Sequence, residues 1–333
     1  MSVIITRRGF AALAAGGLAA PAIRPAGAQE AGWPSRAVRI IVPFGAGGSA
    51  DIAARNVAEA LTQSLGQPFV VENRPGAGAV IGTDAVVKAQ PDGYTILMMS
   101  NTHTANETLI PNRPYALMRD LAAAASVNVA HHVLAVHPSL GVNSVAELIA
   151  KAKAEPGRID YASSGPGTPY HIAGEVFRSM AGIEIQHIPF RSSGEARTAL
   201  ISGTVPLMFD AIPTMQPHVA GGRARALATT GPQRDPLLPE LPTVAESGGS
   251  SGLAGYEASI WLGLMAPAQV PRPIVEKLNG AVNAWLNRPQ TREAMAKQGA
   301  QPMAMSLAEF DAFLRRDVET QRNYVRMARI AVN

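Results

Sequence analysis

The segment Val38-Arg39-Ile40-Ile41-Val42-Pro43-Phe44-Gly45-Ala46-Gly47-Gly48-Ser49-Ala50-Asp51 constrains the fold more than any other. A short apolar run ends in a glycine-rich turn, and a helical pattern follows at once, with Ala53, Val57, Ala60, Leu61 and Leu65 on one face. Glycines let the backbone approach a ligand, and the start of a helix aims free N–H groups and partial positive charge at the turn. The implied ligand is anionic. A nucleotide phosphate and a small carboxylate both satisfy the pattern.

Strand and helix patterns alternate through most of the chain, which predicts an α/β fold. Strands are expected at 38–42, 69–71, 95–99, 159–162, 185–189, 205–209, 225–229 and 260–265. Residues 121–127 and 133–136 are expected as an extended pair. Helices are expected at 51–65, 79–89, 170–180, 194–201, 274–286 and 290–298. Two more start from the capping boxes Ser144-x-x-Glu147 and Ser306-x-x-Glu309. The last, running to about Arg329, is expected to pack back on the first domain. Residues 247–255, rich in glycine and serine, read as a mobile surface loop.

Residues 1–28 read as an export signal of twin-arginine type, cleaved near Ala28. Arg7 and Arg8 precede an Ala/Gly/Leu stretch and the small-x-small site Ala26-Gly27-Ala28. Loss of Arg7, Arg8 and Arg24 takes 29 basic residues to 26 against an unchanged 25 acidic ones, a net charge of +1. With no basic run carrying interleaved aromatics, no nucleic-acid partner is expected. The absence of cysteine fits an oxidising compartment. Later apolar runs fall short of the ~20 residues that span a bilayer.

Three strand-to-helix junctions carry Gly, Ser, Thr or Asn: the glycine turn, Ser100-Asn101-Thr102-His103-Thr104, and Ser163-Ser164-Gly165-Pro166-Gly167-Thr168. In α/β sheets ligands bind beyond the carboxyl ends of strands, and hydroxyls with backbone N–H groups suit a carboxylate. The glycine turn also matches a dinucleotide fingerprint at Gly45, Gly47 and Ala50, with Glu72 placed for a ribose. Pro43-Phe44 before the glycines and Asp51 at the helix start count against that reading. Ser164, His171 and Asp210 lack a G-x-S-x-G elbow, so no hydrolase triad is expected. The seven histidines show no metal-ligand spacing, and no metal or cofactor is expected.

Taken with Trp33-Pro34-Ser35, Val71-Glu72-Asn73-Arg74-Pro75-Gly76-Ala77-Gly78, Pro91-Asp92-Gly93-Tyr94-Thr95, His187-Ile188-Pro189-Phe190, Met208-Phe209-Asp210 and Leu241-Pro242-Thr243-Val244-Ala245-Glu246, these motifs resemble a known family. It is the substrate-binding proteins of tripartite tricarboxylate transporters, first described in Bordetella, and the resemblance runs from about Trp33 to the C-terminus. It implies a type II periplasmic-binding-protein fold, two α/β domains with a ligand cleft between them. Residues 29–130 with 255–333 would form one domain and 131–254 the other, hinged near 122–137 and 225–260.

Carried over by position, Phe44, Gly47, Gly48, Ser49 and Asp51 would form one jaw, with Asn101, Thr102, His103 and Thr104 along its wall. Ser163, Ser164, Gly167, Thr168, His171 and Asp210 would form the other. Arg191-Ser192-Ser193 departs from the Lys-Gly more usual in relatives, and Ala211 replaces a polar residue. The expectation is a monomeric, non-enzymatic periplasmic receptor for a small carboxylate, with membrane transporter subunits as transient partners. An exported NAD(P)-binding oxidoreductase using the Gly45-Gly47-Ala50 turn, and a sensor serving a membrane signalling partner, are the alternatives.

Overall fold

The computed structural model describes residues 32–248 and 251–331; the expected export signal lies outside them. Residues 34–333 form one compact unit. Strand β1 (Val38–Val42) is buried except at Arg39, and apart from that residue it reads as an apolar run. It lies between β2 (Phe69–Asn73) and β3 (Thr95–Ser100), parallel to both. The helix Ser49–Leu65 crosses between β1 and β2, ending at Gly66 in the left-handed conformation.

The sheet is carried onward by one long strand, β4 (Leu121–Val136). Residues 121–131 pair antiparallel with β9 (Ser259–Pro267), which also pairs with β3. Residues 132–136 pair with β7 (Leu207–Ala211), while 133–136 pair with β8 (Arg225–Thr229). Beyond β7 lie β5 (Ile159–Ser163) and β6 (Ile185–Pro189), both parallel. A short strand, β10 (Ala300–Pro302), joins β4 at Asn128–Ala130. The whole order is β2-β1-β3-β9-β4-β7-β5-β6. One half of the sheet thus carries β1–β3 and the other β5–β8, with β4 shared.

The expected extended pair is therefore a single strand of 16 residues. The intervening Asn128-Val129-Ala130-His131-His132 breaks the apolar pattern but not the ladder. His132 N–H donates to Thr230 Oγ1 at 2.7 Å, and the His132 carbonyl accepts from Thr230 N–H at 2.9 Å. Two of the longer helices escaped sequence reading. Asn101–Leu109 has no apolar stripe because nearly all of it is buried, and Ile212–Ala220 is obscured by Pro213 and Pro217. The Ser306 capping box is present, whereas at Ser144 the Glu147 carboxylate takes the Asn143 N–H instead.

The C-terminal helix Leu307–Met327 does more than return to the first half. Phe310 and Phe313 pack edge-on against Trp261, but Val325, Ala328 and Ile330 join the core of the second half. In the stretch read as a mobile loop, Leu253 is fully buried in that same core. Apolar burial of this kind contributes roughly 2 kcal/mol per leucine side chain, which anchors the loop.

Candidate functional site

Gly47 takes a φ of +75° that only glycine adopts without strain, and this lets the turn after β1 fold under itself. The turn is locked from within by Asp51. Its carboxylate accepts from Gly47 N–H at 3.0 Å, Asn73 Nδ2 at 3.0 Å, and Arg55 Nε and Nη2 at 3.2 and 3.0 Å. Burial pushes this acid up, but the hydrogen bonds from Arg55, Gly47 and Asn73 outweigh it and the pKa falls below its usual value. Asp51 therefore shapes the jaw and is spent inside it. Gly48 caps the following helix without a side chain, and the first backbone bond of that helix is Ile52 N–H to Gly48. The N–H groups of the first turn are left to face the cleft.

The loop after β5 is built by its own polar groups. Ser163 Oγ accepts from Gly165 N–H at 3.1 Å and lies 2.6 Å from His187 Nε2. Gly167 N–H donates to His171 Nδ1 at 3.0 Å, and Thr168 Oγ1 donates to the Gly165 carbonyl at 2.7 Å. The His171 and His187 rings stack at 4.0 Å. Burial is the main cause holding them at about 4 and about 3, so both rings are neutral near pH 7. Ser163, Gly167 and His171 thus form the back of this loop. The helix Pro169–Ala181 starts at Thr168 with no side-chain cap.

The two halves meet directly. Ser49 and Tyr170 share a hydroxyl–hydroxyl hydrogen bond of 2.9 Å. A Cβ placed on Gly45 would lie 2.6 Å from Ser192 Cβ, and one on Gly48 would lie 2.8 Å from Ser193 Oγ. Gly47 needs its backbone angle and Gly45 needs the space, whereas at Gly48 the near atom is a serine hydroxyl that can rotate away. Between these contacts sits a narrow cavity with room for only one or two waters.

A family model described as the tripartite tricarboxylate transporter family receptor matches residues 53–329. The chain belongs to this family. It is 36% identical to BugT of Bordetella pertussis over 296 residues, 88% of this chain and 90% of that protein. Its fold matches an R. palustris protein solved with adipate at a TM-score of 0.86, with 33% identity, covering 90% of this chain and 99% of that one. The periplasmic binding protein BugD matches at 0.83 and 32% identity, over 90% and 99% of the respective chains. The α/β fold is thus that of periplasmic binding proteins.

Of the residues carried over from sequence, Phe44, Gly48, Ser49, Ser164 and Thr168 line the cavity. Asn101, Thr102, His103 and Thr104 do not; they brace the wall. Asn101 Nδ2 donates to the Ser259 carbonyl at 2.8 Å, Thr104 Oγ1 donates to Asp317 at 2.5 Å, and His103 takes the Ser100 N–H. Only Ser100, capping their helix, reaches the cavity. Asp210 is likewise displaced. It is fully buried, paired with Arg197 Nε at 2.6 Å and with Thr214 Oγ1 at 3.1 Å, so it ties the helix Ser193–Ile201 to β7. Burial pushes this carboxyl up against the opposing pull of Arg197. Glu72, the acid expected for a ribose, is paired at the end of β2 with Arg74 at 2.6 Å and Arg39 at 3.5 Å.

Removing one partner of a buried pair strands the other charge, which costs about 3–5 kcal/mol. Arg197→Met is therefore expected to lower the urea-unfolding free energy by about 3 kcal/mol; a loss under about 1 kcal/mol would contradict this bracing role.

Gly45, Ser100, Tyr170, Arg191, Ser192 and Ser193 also line the cavity, although sequence reading named none of them as a site residue and tied only Arg191-Ser192-Ser193 to the distal end of the pocket. A signal for part of this was present. Ser192-x-x-Glu195 matches the pattern used at Ser144 and Ser306, and Ser192 Oγ accepts the Glu195 N–H at 3.1 Å. Residues at the starts of four helices consequently line the cavity: Ser49, Ser100 as the cap of the helix at Asn101, Pro169 and Ser193. Arg191 is its one ionised residue, and no acid lines it. Burial, helped by the Asp210 charge, pushes the Tyr170 hydroxyl well above its usual pKa, so it stays protonated. Among the described residues, no group of three His, Asp or Glu side chains is placed to hold a metal ion.

Proposed function

We propose that this protein is a periplasmic solute receptor that captures a small carboxylate and delivers it to a tripartite tricarboxylate-type transporter. The convergence of four helix starts on one acid-free cavity carries the reading. Each start offers unpaired N–H groups and about half a positive charge, so together they favour an anion without a full neutralising charge. Adipate in the related R. palustris structure supports a carboxylate over other anions.

Capture would proceed by closure of the two halves, residues 29–130 with 255–333 against 131–254. The division of β4 favours this, since β9 pairs with residues 121–131 only and β7 with 132–136 only. A ligand touching both jaws shifts the population toward the closed form.

Thermal unfolding of residues 29–333 against a carboxylate panel tests the reading. A ligand at 100 times its Kd stabilises by about 2.7 kcal/mol, which raises Tm by roughly 5–10 °C. No shift with any carboxylate, or micromolar binding of NAD(P), would remove the receptor reading. Loss of uptake on gene deletion would separate transport from sensing.

A further inference from the structure

A separate chamber of about 500 Å³ lies on the opposite face of the crossing strands β4 and β9, a volume suited to a small molecule. Side chains alternate between the two faces of a strand. Ile260 reaches the cavity described above, whereas its neighbours Ser259 and Trp261 line the chamber, with their β4 partners His131 and Val129. Of the cavity residues, Pro169 alone also touches the chamber. The helix Pro169–Ala181 supplies Ile172 and Val176 to its wall, and the C-terminal helix supplies Phe313, Asp317 and Tyr324.

The charge pattern is the reverse of the cavity's. Arg191 lines the cavity and no acid does, while Glu257 and Asp317 line the chamber and no lysine or arginine does. Neither carboxyl forms an ion pair among the described residues. Asp317 takes its hydrogen bonds from neutral groups, Thr104 Oγ1 at 2.5 Å and Gln321 Nε2 at 3.4 Å, and burial pushes its pKa up. Burial first, then Glu257 and Asp317 together, also push up the Tyr324 hydroxyl, so the fields of both acids reach one point of the wall. Burial lowers the His131 pKa below its usual value, so that ring brings little positive charge near neutral pH.

A neutral group on the same wall also lacks a partner. Asn101 is 4% exposed, and its Nδ2 donates to the Ser259 carbonyl, but its Oδ1 accepts no hydrogen bond. A buried acceptor without a donor is costly, and a ligand N–H would relieve it. The remaining wall is apolar and aromatic, with Trp261 and Phe313 meeting edge-on at 5.2 Å beside Met303. Aromatic ring faces attract cations.

We propose that this chamber is a second binding site, for an organic cation: a protonated amine carried on an apolar body. The ammonium brings the positive charge that Glu257 and Asp317 lack and the donor that Asn101 lacks. The body packs against Trp261, Phe313 and Met303. This site is distinct from the carboxylate cavity and does not depend on the receptor reading.

Calorimetry at pH 7 with 2-phenylethylammonium and its neutral analogue 2-phenylethanol tests this on the mature protein and on Asp317→Asn and Thr320→Arg. The ammonium is expected to bind at least about 10-fold tighter than the alcohol, the scale of one charge-assisted hydrogen bond. Asp317→Asn keeps an acceptor for Thr104 and should cut that preference to within about 3-fold. Thr320→Arg alters an exposed position lining the chamber, one helical turn beyond Asp317, and sets a rival cation beside that acid. It should weaken the ammonium at least about 10-fold and leave the alcohol within about 3-fold. Equal binding of the two probes, no binding of either with a Kd below about 1 mM, or a preference retained in either folded variant would overturn the site. The carboxylate panel is read separately, so failure here leaves the receptor reading standing.

Discussion

Gly45→Val is expected to abolish ligand capture while the chain stays folded. Even the first carbon of a side chain at this position would come within 2.6 Å of Ser192 Cβ and 3.3 Å of the Arg191 carbonyl. Neither neighbour can yield by rotating a flexible tip. Both belong to the opposite half of the sheet, so the overlap is relieved by separating the halves. The core of each half is untouched. An overpacking penalty of up to about 3 kcal/mol placed on the closed form alone weakens a ligand that needs closure by on the order of 100-fold. Calorimetry reads the affinity, and small-angle scattering should show the variant more expanded than the ligand-bound parent. Binding within about 5-fold of the parent, with unchanged scattering, would show that closure does not depend on this contact.

Stability is expected to fall steeply between pH 6.5 and pH 4. Burial is the first cause holding His103 and His171 at about 4 and His132 at about 3. All three are at most 5% exposed. Each folded value lies below the unfolded one, so the unfolded chain binds the extra proton. The stabilisation is complete above pH 6.5 and drains away as pH falls toward each folded value. His103 alone accounts for about 3 kcal/mol across that interval. Together the three are expected to remove at least about 5 kcal/mol by pH 4.5, comparable with the whole stability of a small domain.

Urea unfolding at successive pH values measures the slope. His103→Gln should flatten it by roughly 2 kcal/mol, because glutamine keeps the capping box at Ser100 without the titration. A free energy level to within about 1 kcal/mol from pH 7 to 4.5 would refute the assignment.

Much of the architecture was legible because its signals are local. β1 is an apolar run broken only by the exposed Arg39, as a mostly buried strand requires, and the glycine turn, the loop after β5 and the Ser306 cap all announce themselves over a few residues. The elements that escaped were those whose pattern is set by burial from elsewhere. Asn101–Leu109 is a helix of polar residues because Ser259, Gly78 and Asp317 supply its side chains with partners. β4 crosses its polar middle because Thr230 satisfies the backbone there.

Sequence alone determined that this chain alternates strand and helix, that three junctions lie at the carboxyl ends of strands, and that the glycine turn with its helix start suits an anion. Those conclusions follow from periodicity and from glycine's freedom, which act over a turn or two of chain. Which side chains face the ligand was a tertiary decision. Asp51, His171 and Asp210 carry the chemistry that suggests contact, yet buried polar groups must find partners, and the fold supplies those partners internally as Gly47 with Arg55, Gly167, and Arg197. Ser192 and Ser193 stand more than 140 positions from Gly45 and Gly48. Only the pairing of both halves along β4 brings Arg191 to the lining of the cavity.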